Sequence, residues 1–201
     1  MKRALLITAA LLLGCSAGSG QPAVPAGPAP ILTDVSKLSA GDKTEHFSLR
    51  MLAGKGIDVL VGDRSLTSTE LSVSRYTDAD DHSLRGTAFD RTVDINITAD
   101  GAKGLLGPGP MDIKVVLVGD ELQIHGSVAG ETSAFSFNPR EITGNVGRCM
   151  FQMTRQGTQY TGARGCGRSK EEAQIVFPAS FGAWSVPEMG AALAILLTSG
   201  M

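Results

Sequence analysis

Apolar and polar positions alternate with a period of two along most of the chain, which is typical of β-strands with one buried face. Phe47, Leu49 and Met51 alternate with polar neighbours. The same pattern recurs at 93–97, 113–117, 122–124 and 135–137. Turn-forming residues interrupt it at short intervals, as at Gly62-Asp63. The pattern predicts a mostly β fold, an antiparallel barrel or sandwich of about ten short strands.

Two stretches of the sequence differ from simple alternation: one is rich in Gly and Pro, and one is repeated. Residues 101–110 are rich in Gly and Pro and are expected to form an irregular loop. The sequence Val-Leu-Val-Gly-Asp occurs at 59–63 and again at 116–120. The repetition indicates either a duplicated β-meander or a chance likeness between two hairpins with Gly-Asp turns.

The period changes near the C-terminus. Ser185 and Glu188 have the spacing of a helix capping box, and residues 189–198 are almost continuously apolar. We expect one helix over about 186–198, packed on the β-domain or making a second membrane contact. At 1.5 Å per residue it is about 20 Å long, shorter than the ~30 Å hydrocarbon core of a bilayer.

The N-terminus has the pattern of an export signal. Lys2 and Arg3 precede a ten-residue apolar run, which ends at Leu12-Leu13-Gly14-Cys15. This stretch resembles the lipobox of bacterial lipoproteins, although Leu13 stands where Ala or Ser is commoner. The resemblance implies that residues 1–14 are removed and that Cys15 carries a diacylglycerol and an amide-linked acyl chain. Because Ser16 rather than Asp follows, it implies the outer membrane. The alternative is an ordinary signal peptide with an incidental Cys.

Residues 15–30 form the predicted tether. The stretch after Cys15 is rich in Pro, Gly and Ala and has no charge, so it cannot bury enough apolar area to fold. Residues 31–201 are expected to form a single β-rich domain.

The two remaining cysteines predict a disulfide, since an exported compartment is oxidising. Gly157-Thr158 suits a two-residue hairpin turn between strands 150–156 and 159–165. Counting outward from that turn brings Cys149 opposite Cys166, at a distance that a disulfide can span. Zinc binding and redox chemistry would favour Cys-x-x-Cys spacing, which is absent.

The net charge and the absence of known motifs argue against several classes of function. A formal net charge of −2 argues against nucleic-acid binding, which needs a basic face. No nucleophile elbow or phosphate-binding glycine loop occurs, so we expect neither an enzyme nor a cofactor.

Two groups of residues remain as candidate sites. Asp78, Asp80, Asp81 and His82 could hold a cation, although such a run before a strand also suits a solvated turn. A second group combines aromatic rings with Arg, as interaction hot spots do, and core packing is its alternative. Its members are Tyr160, Arg164 and Trp184.

These features favour a lipid-anchored protein of the cell envelope that binds a protein or wall component without catalysing a reaction. A lipocalin-like carrier of a small apolar ligand is the first alternative. An envelope hydrolase, or an inhibitor of one, is the second. The membrane is the expected partner through Cys15, and no nucleic acid is expected.

Overall fold

The structure, a computed structural model, describes residues 45–52, 54 and 56–199. The predicted signal sequence, Cys15 and the tether lie outside these residues. The described residues form fourteen strands, one 3-10 helix (Ala179–Ala183) and one α-helix, α1 (Val186–Leu197). The strands are β1 (His46–Met51), β2 (Gly56–Val61), β3 (Ser65–Thr67), β4 (Leu71–Asp78), β5 (Asp81–Ala88), β6 (Arg91–Thr98), β7 (Gly101–Leu106), β8 (Gly109–Val118), β9 (Glu121–Val128), β10 (Glu131–Phe137), β11 (Glu141–Val146), β12 (Cys149–Gln156), β13 (Gln159–Cys166) and β14 (Ser169–Val176).

The strands form one closed antiparallel barrel, in which β1 pairs with both β2 and β14. The predicted fold class is confirmed, and the barrel is the correct one of the two architectures. The expected count of about ten strands is too low. Residues 101–110 are not an irregular loop, because β7 and β8 form a hairpin across Gly107-Pro108. Gly and Pro mark a tight turn there rather than a long connection.

The two ends of the barrel differ in what they carry. Because every strand is antiparallel to its neighbours, the turns fall alternately at one end and the other. The entry end is where β1 begins and where α1 begins, beside the β4–β5 turn. The exit end is where α1 finishes, beside the β5–β6, β7–β8 and β13–β14 turns.

The α-helix lies inside the barrel rather than on it. Every residue from Glu188 to Leu197 is buried, and the helix contacts β6, β7, β8 and β9. The strand residues that it contacts, such as Val115, have the inward register of the core. A helix that is apolar on all sides must be enclosed on all sides, which the barrel interior provides. No helix among the described residues is long and apolar enough to cross a membrane.

Aromatic rings occupy the other half of the interior. Phe137, Tyr160 and Phe177 contact one another with ring centroids 4.6–5.6 Å apart. Phe47 packs against Phe177 at 5.5 Å. The helix and this aromatic cluster together form the core.

Five inward-facing glycines give the barrel wall its shape. They occur on alternate strands, and a side chain there would collide with the neighbouring backbone. A Cβ on Gly104 would lie 2.0 Å from the carbonyl oxygen of Asp94, and one on Gly144 would lie 2.1 Å from that of Ala134. Glycine at such positions allows strands to bend and approach closely. The five are Gly86, Gly104, Gly126, Gly144 and Gly162.

The repeated Val-Leu-Val-Gly-Asp sequence does not mark a structural duplication. Val59 and Val61 face the core, whereas Val116 and Val118 face outward and are exposed. Period-two side-chain alternation makes this a full reversal of the strand's faces, which a duplicated unit would not show.

Candidate functional site

A cleft of about 660 Å³ lies on the outer surface of β1, β12, β13 and β14. Its ten lining residues include four neutral hydrogen-bonding side chains, one cation, one carboxylate and four residues without a polar side-chain group of this kind. We call it the polar cleft. The side chains that define it are Arg50, Thr154, Gln156, Thr161, Glu172 and Gln174.

Strand register places four of these side chains in one row. Arg50 pairs with Gln174, Gln174 with Thr161, and Thr161 with Thr154. With strands 4.7–4.9 Å apart, the row extends over roughly 14 Å. Thr154, Thr161 and Gln174 lie on consecutive strands, whereas Arg50 joins the row only because the barrel closes between β1 and β14.

The six polar side chains of this cleft have no protein partner among the residues that the structure describes. Among the described residues, no hydrogen bond or ion pair engages the six defining side chains. The Oγ1 atom of Thr161 is moreover buried without a hydrogen-bond partner. Polar groups that are buried normally find one, so an unpaired buried hydroxyl in a cleft indicates a place for a ligand or an ordered water.

The outer surface of β5–β11 gives the opposite picture. Several of its polar groups are paired. Arg85–Asp94 at 3.5 Å, Lys103–Asp112 at 3.2 Å and Ser136–Thr143 at 3.1 Å are cross-strand pairs, and Gln123 donates to Glu121 within β9 at 2.9 Å. We call this surface the paired face. These groups are engaged with one another, whereas the six defining side chains of the polar cleft have no such contact among the described residues.

A second cleft, of about 490 Å³, lies at the exit end. We call it the exit cleft. Leu106, Pro108 and Ala129 supply apolar lining, while Arg91 and Arg148 supply positive charge. Arg148 forms an ion pair with Glu131 at 2.6 Å.

The interior behind the exit cleft holds the end of α1. The Arg91 Nη2 donates to the carbonyl oxygen of Thr198 at 3.2 Å and to its hydroxyl at 2.9 Å. Arg164 donates to the carbonyl oxygen of Ser199 and, at 3.5 Å, to the sulfur of Cys149. Two cations at the negative end of the helix dipole stabilise it. Burial lowers the pKa of both guanidinium groups.

The start of α1 is held by a buried carboxylate. Glu188 is 1% exposed and accepts two hydrogen bonds from Arg75, one from His82 and one from the backbone N–H of Ser185, all at 2.7–2.8 Å. Burial by itself raises the pKa of Glu188, but the hydrogen bonds, Arg75 first, outweigh burial and lower it to about 2. The Arg75 guanidinium also stacks 4.9 Å from the Trp184 ring. The predicted capping residues therefore secure the helix as well as start it.

The predicted disulfide is confirmed. Cys149 and Cys166 are bonded, with Cα atoms 4.1 Å apart. The register of β12 and β13 agrees with the prediction from Gln156–Gln159 outward to the two cysteines.

The candidate cation ligands diverge in the structure. His82 turns inward to Glu188, whereas Asp81 accepts from Ser83 and approaches Arg85. Asp78 and Asp80 are exposed at the turn. Within the described ranges, no group of three or more His, Cys, Asp or Glu residues is placed to hold a metal ion.

The three aromatic and Arg candidates are buried, which favours core packing over partner binding. Tyr160 is enclosed in the aromatic cluster, where its hydroxyl donates to the Asn138 carbonyl at 2.9 Å and burial raises its pKa. Arg164 lies at the end of α1. Trp184 covers the entry end, and its Nε1 donates to the Gly62 carbonyl at 3.2 Å. A partner cannot reach these side chains.

No family model, no curated protein and no solved structure matches the chain. The sequence offered no signal for the polar cleft, because outward polar residues on strands look the same whether they are merely solvated or form a site.

Proposed function

We propose that this protein is a non-enzymatic binding module of the cell envelope, anchored through a lipidated Cys15, and that its polar cleft binds a hydroxyl-rich wall component such as a glycan. One observation carries the proposal: unpartnered hydrogen-bonding side chains line a cleft of about 660 Å³.

The chemistry of the cleft suits a neutral, hydroxylated ligand. Amide and hydroxyl groups donate and accept hydrogen bonds in the same way as sugar hydroxyls do. The opposite charges of Arg50 and Glu172 leave the lining without net charge. A linear row of roughly 14 Å matches an extended chain better than a compact molecule.

The cleft favours binding over hydrolysis. Glycoside hydrolysis usually requires two carboxyl groups on opposite sides of the scissile bond. Among the described residues lining the polar cleft, Glu172 is the one carboxylate. Glu188, whose pKa is lowered, is enclosed by Arg75, His82 and Ser185 at the start of α1 and is not among the residues that line this cleft.

The carrier alternative has less support. A lipocalin-like carrier keeps its ligand in the barrel interior. In this barrel, α1 and the aromatic cluster occupy that space.

Co-sedimentation with purified peptidoglycan sacculi, using the full-length protein, tests the proposed ligand. The double variant Thr161→Val/Gln174→Ala should stay in the supernatant while the wild type sediments. The matched control Thr143→Val/Gln123→Ala changes the same residue types on the paired face and should sediment like the wild type. Equal sedimentation of the two variants, or no sedimentation of the wild type, would contradict the proposal.

Metabolic labelling with an alkyne-bearing palmitate analogue tests the anchor. The wild type should incorporate the label and fractionate with membranes, and Cys15→Ser should do neither. Labelling that persists in Cys15→Ser would place the lipid elsewhere and remove Cys15 from the proposal.

A further inference from the structure

The exit cleft is separate from the polar cleft and shares none of its lining residues. Its wall includes the apolar residues Leu106, at the end of β7, Pro108, in the β7–β8 turn, and Ala129, in the β9–β10 turn. It lies at the end of the barrel opposite to the start of β1, where the chain arrives from the proposed anchor.

Cations outnumber carboxylates among the described residues that line this cleft. Among the described lining residues, Arg91 and Arg148 are cations and Glu131 is the carboxylate. Glu131 forms an ion pair with Arg148. Arg91 forms no ion pair in the part of the chain that the structure describes. Arg164, at the same end of α1, interacts with Glu171 on the neighbouring strand and therefore adds no net charge to this count. The partners of Arg91 are the carbonyl and hydroxyl groups of Thr198, and helix carbonyls carry only about half an elementary charge, so they do not neutralise its guanidinium group.

We propose that the exit cleft binds the free C-terminal carboxylate of a peptide whose last residues have small apolar side chains. A guanidinium group matches the geometry and charge of a carboxylate. The apolar wall would take the side chains next to it. A long alkyl chain fits less well, because it needs a deep channel and the interior behind the cleft is filled by Thr198 and the end of α1.

Calorimetric titration of the full-length protein tests this site, with acetyl-Ala-Val as the free acid and as the C-terminal amide. The acid should bind at least about tenfold more tightly, since hydrogen bonds to charged groups contribute more than neutral ones. Equal affinities of acid and amide, or no binding of the acid, would overturn the proposal. Octanoate binding as tightly as the peptide acid would overturn the choice of a peptide.

Two variants locate the site without touching the partners of α1. Arg148→Gln removes one cation from the rim, and Pro108→Glu adds a negative charge on an exposed turn. Each should weaken the acid about tenfold and leave the amide unchanged. The control Pro139→Glu places the same charge on a turn at the entry end and should bind the acid like the wild type. If Pro108→Glu and Pro139→Glu bind the acid equally well, the exit cleft is not the site.

Discussion

The start of α1 and the polar cleft differ in whether their polar side chains are paired. At the start of α1, Glu188 is enclosed and all its hydrogen bonds are made by Arg75, His82 and Ser185. On the polar cleft, Thr161 and Gln174 have no partner among the described residues. Polar groups that are fully paired stabilise the fold, whereas those that are left unpaired can serve a ligand.

The difference also shows why α1 can lie in the barrel at all. An apolar helix gains from burial, but both of its ends expose unpaired backbone groups. Glu188 at one end and Arg91 and Arg164 at the other satisfy or neutralise those groups. The interior polar residues therefore belong to the structure of the fold, and the accessible polar surface is where function is to be sought.

The largest effect is expected from Glu188→Gln. Removing one charge of a buried pair leaves Arg75 uncompensated, which typically costs about 3–5 kcal/mol. Urea denaturation followed by circular dichroism measures the free energy of unfolding. The control Glu121→Gln alters a partly exposed carboxylate and should cost less than about 1 kcal/mol. Similar losses in the two variants would show that Glu188 does not hold the helix.

Acid should break the same contact in the wild type. Since the pKa of Glu188 falls from an ordinary 4.5 to about 2 on folding, its contribution is complete above pH 4.5 and is lost as pH decreases toward 2. At 1.36 kcal/mol per pKa unit, this amounts to roughly 3 kcal/mol. The difference in unfolding free energy between wild type and Glu188→Gln should shrink over that range. A difference that stays constant from pH 5 to pH 2 would contradict this role.

Gly190→Ala should test the position of the helix in the barrel. A Cβ at Gly190 would lie 2.6 Å from both methyl groups of Val115, so we expect a loss of about 1–3 kcal/mol from overpacking. Helix propensity alone would instead stabilise the variant by about 1 kcal/mol. Adding Val115→Ala should relieve the clash, and thermal unfolding of the double variant measures that recovery. A stabilising Gly190→Ala would mean that α1 does not pack on β8.

The smallest changes in stability are expected on the outer surface. Thr143→Val removes a hydrogen bond to Ser136 and should cost about 1 kcal/mol, whereas Thr161→Val removes an unpaired buried hydroxyl and should be neutral or slightly stabilising. Chemical denaturation of the two variants compares them directly. A loss at Thr161 as large as that at Thr143 would mean that the Thr161 hydroxyl already has a partner.

Local sequence patterns were sufficient to predict some parts of the structure correctly. The Gly157-Thr158 turn and simple counting were sufficient to pair Cys149 with Cys166, because an antiparallel hairpin leaves no freedom once its turn is known. Ser185 and Glu188 located the start of α1 correctly. By contrast, Gly104 and Pro108 suggested a loop, since glycine within a strand has no local signature that distinguishes a close backbone approach from a turn.

The amino-acid sequence alone was sufficient for the features that depend on residues close together in the chain. Alternation determined the strand content, turn residues the hairpins, cysteine spacing the disulfide, and the capping box the start of the helix. Only the tertiary structure decided that the barrel closes between β1 and β14, that α1 lies inside it, and that Arg50, Thr161 and Gln174 share one row. These features depend on contacts between residues that are distant in the chain. A set of strands with alternating apolar residues is compatible with several ways of closing the sheet. The core accepts α1 because residues far from it in sequence meet its two ends: Arg75 and His82 bind Glu188 at its start, and Arg91 and Arg164 bind the carbonyl groups that follow its last residue.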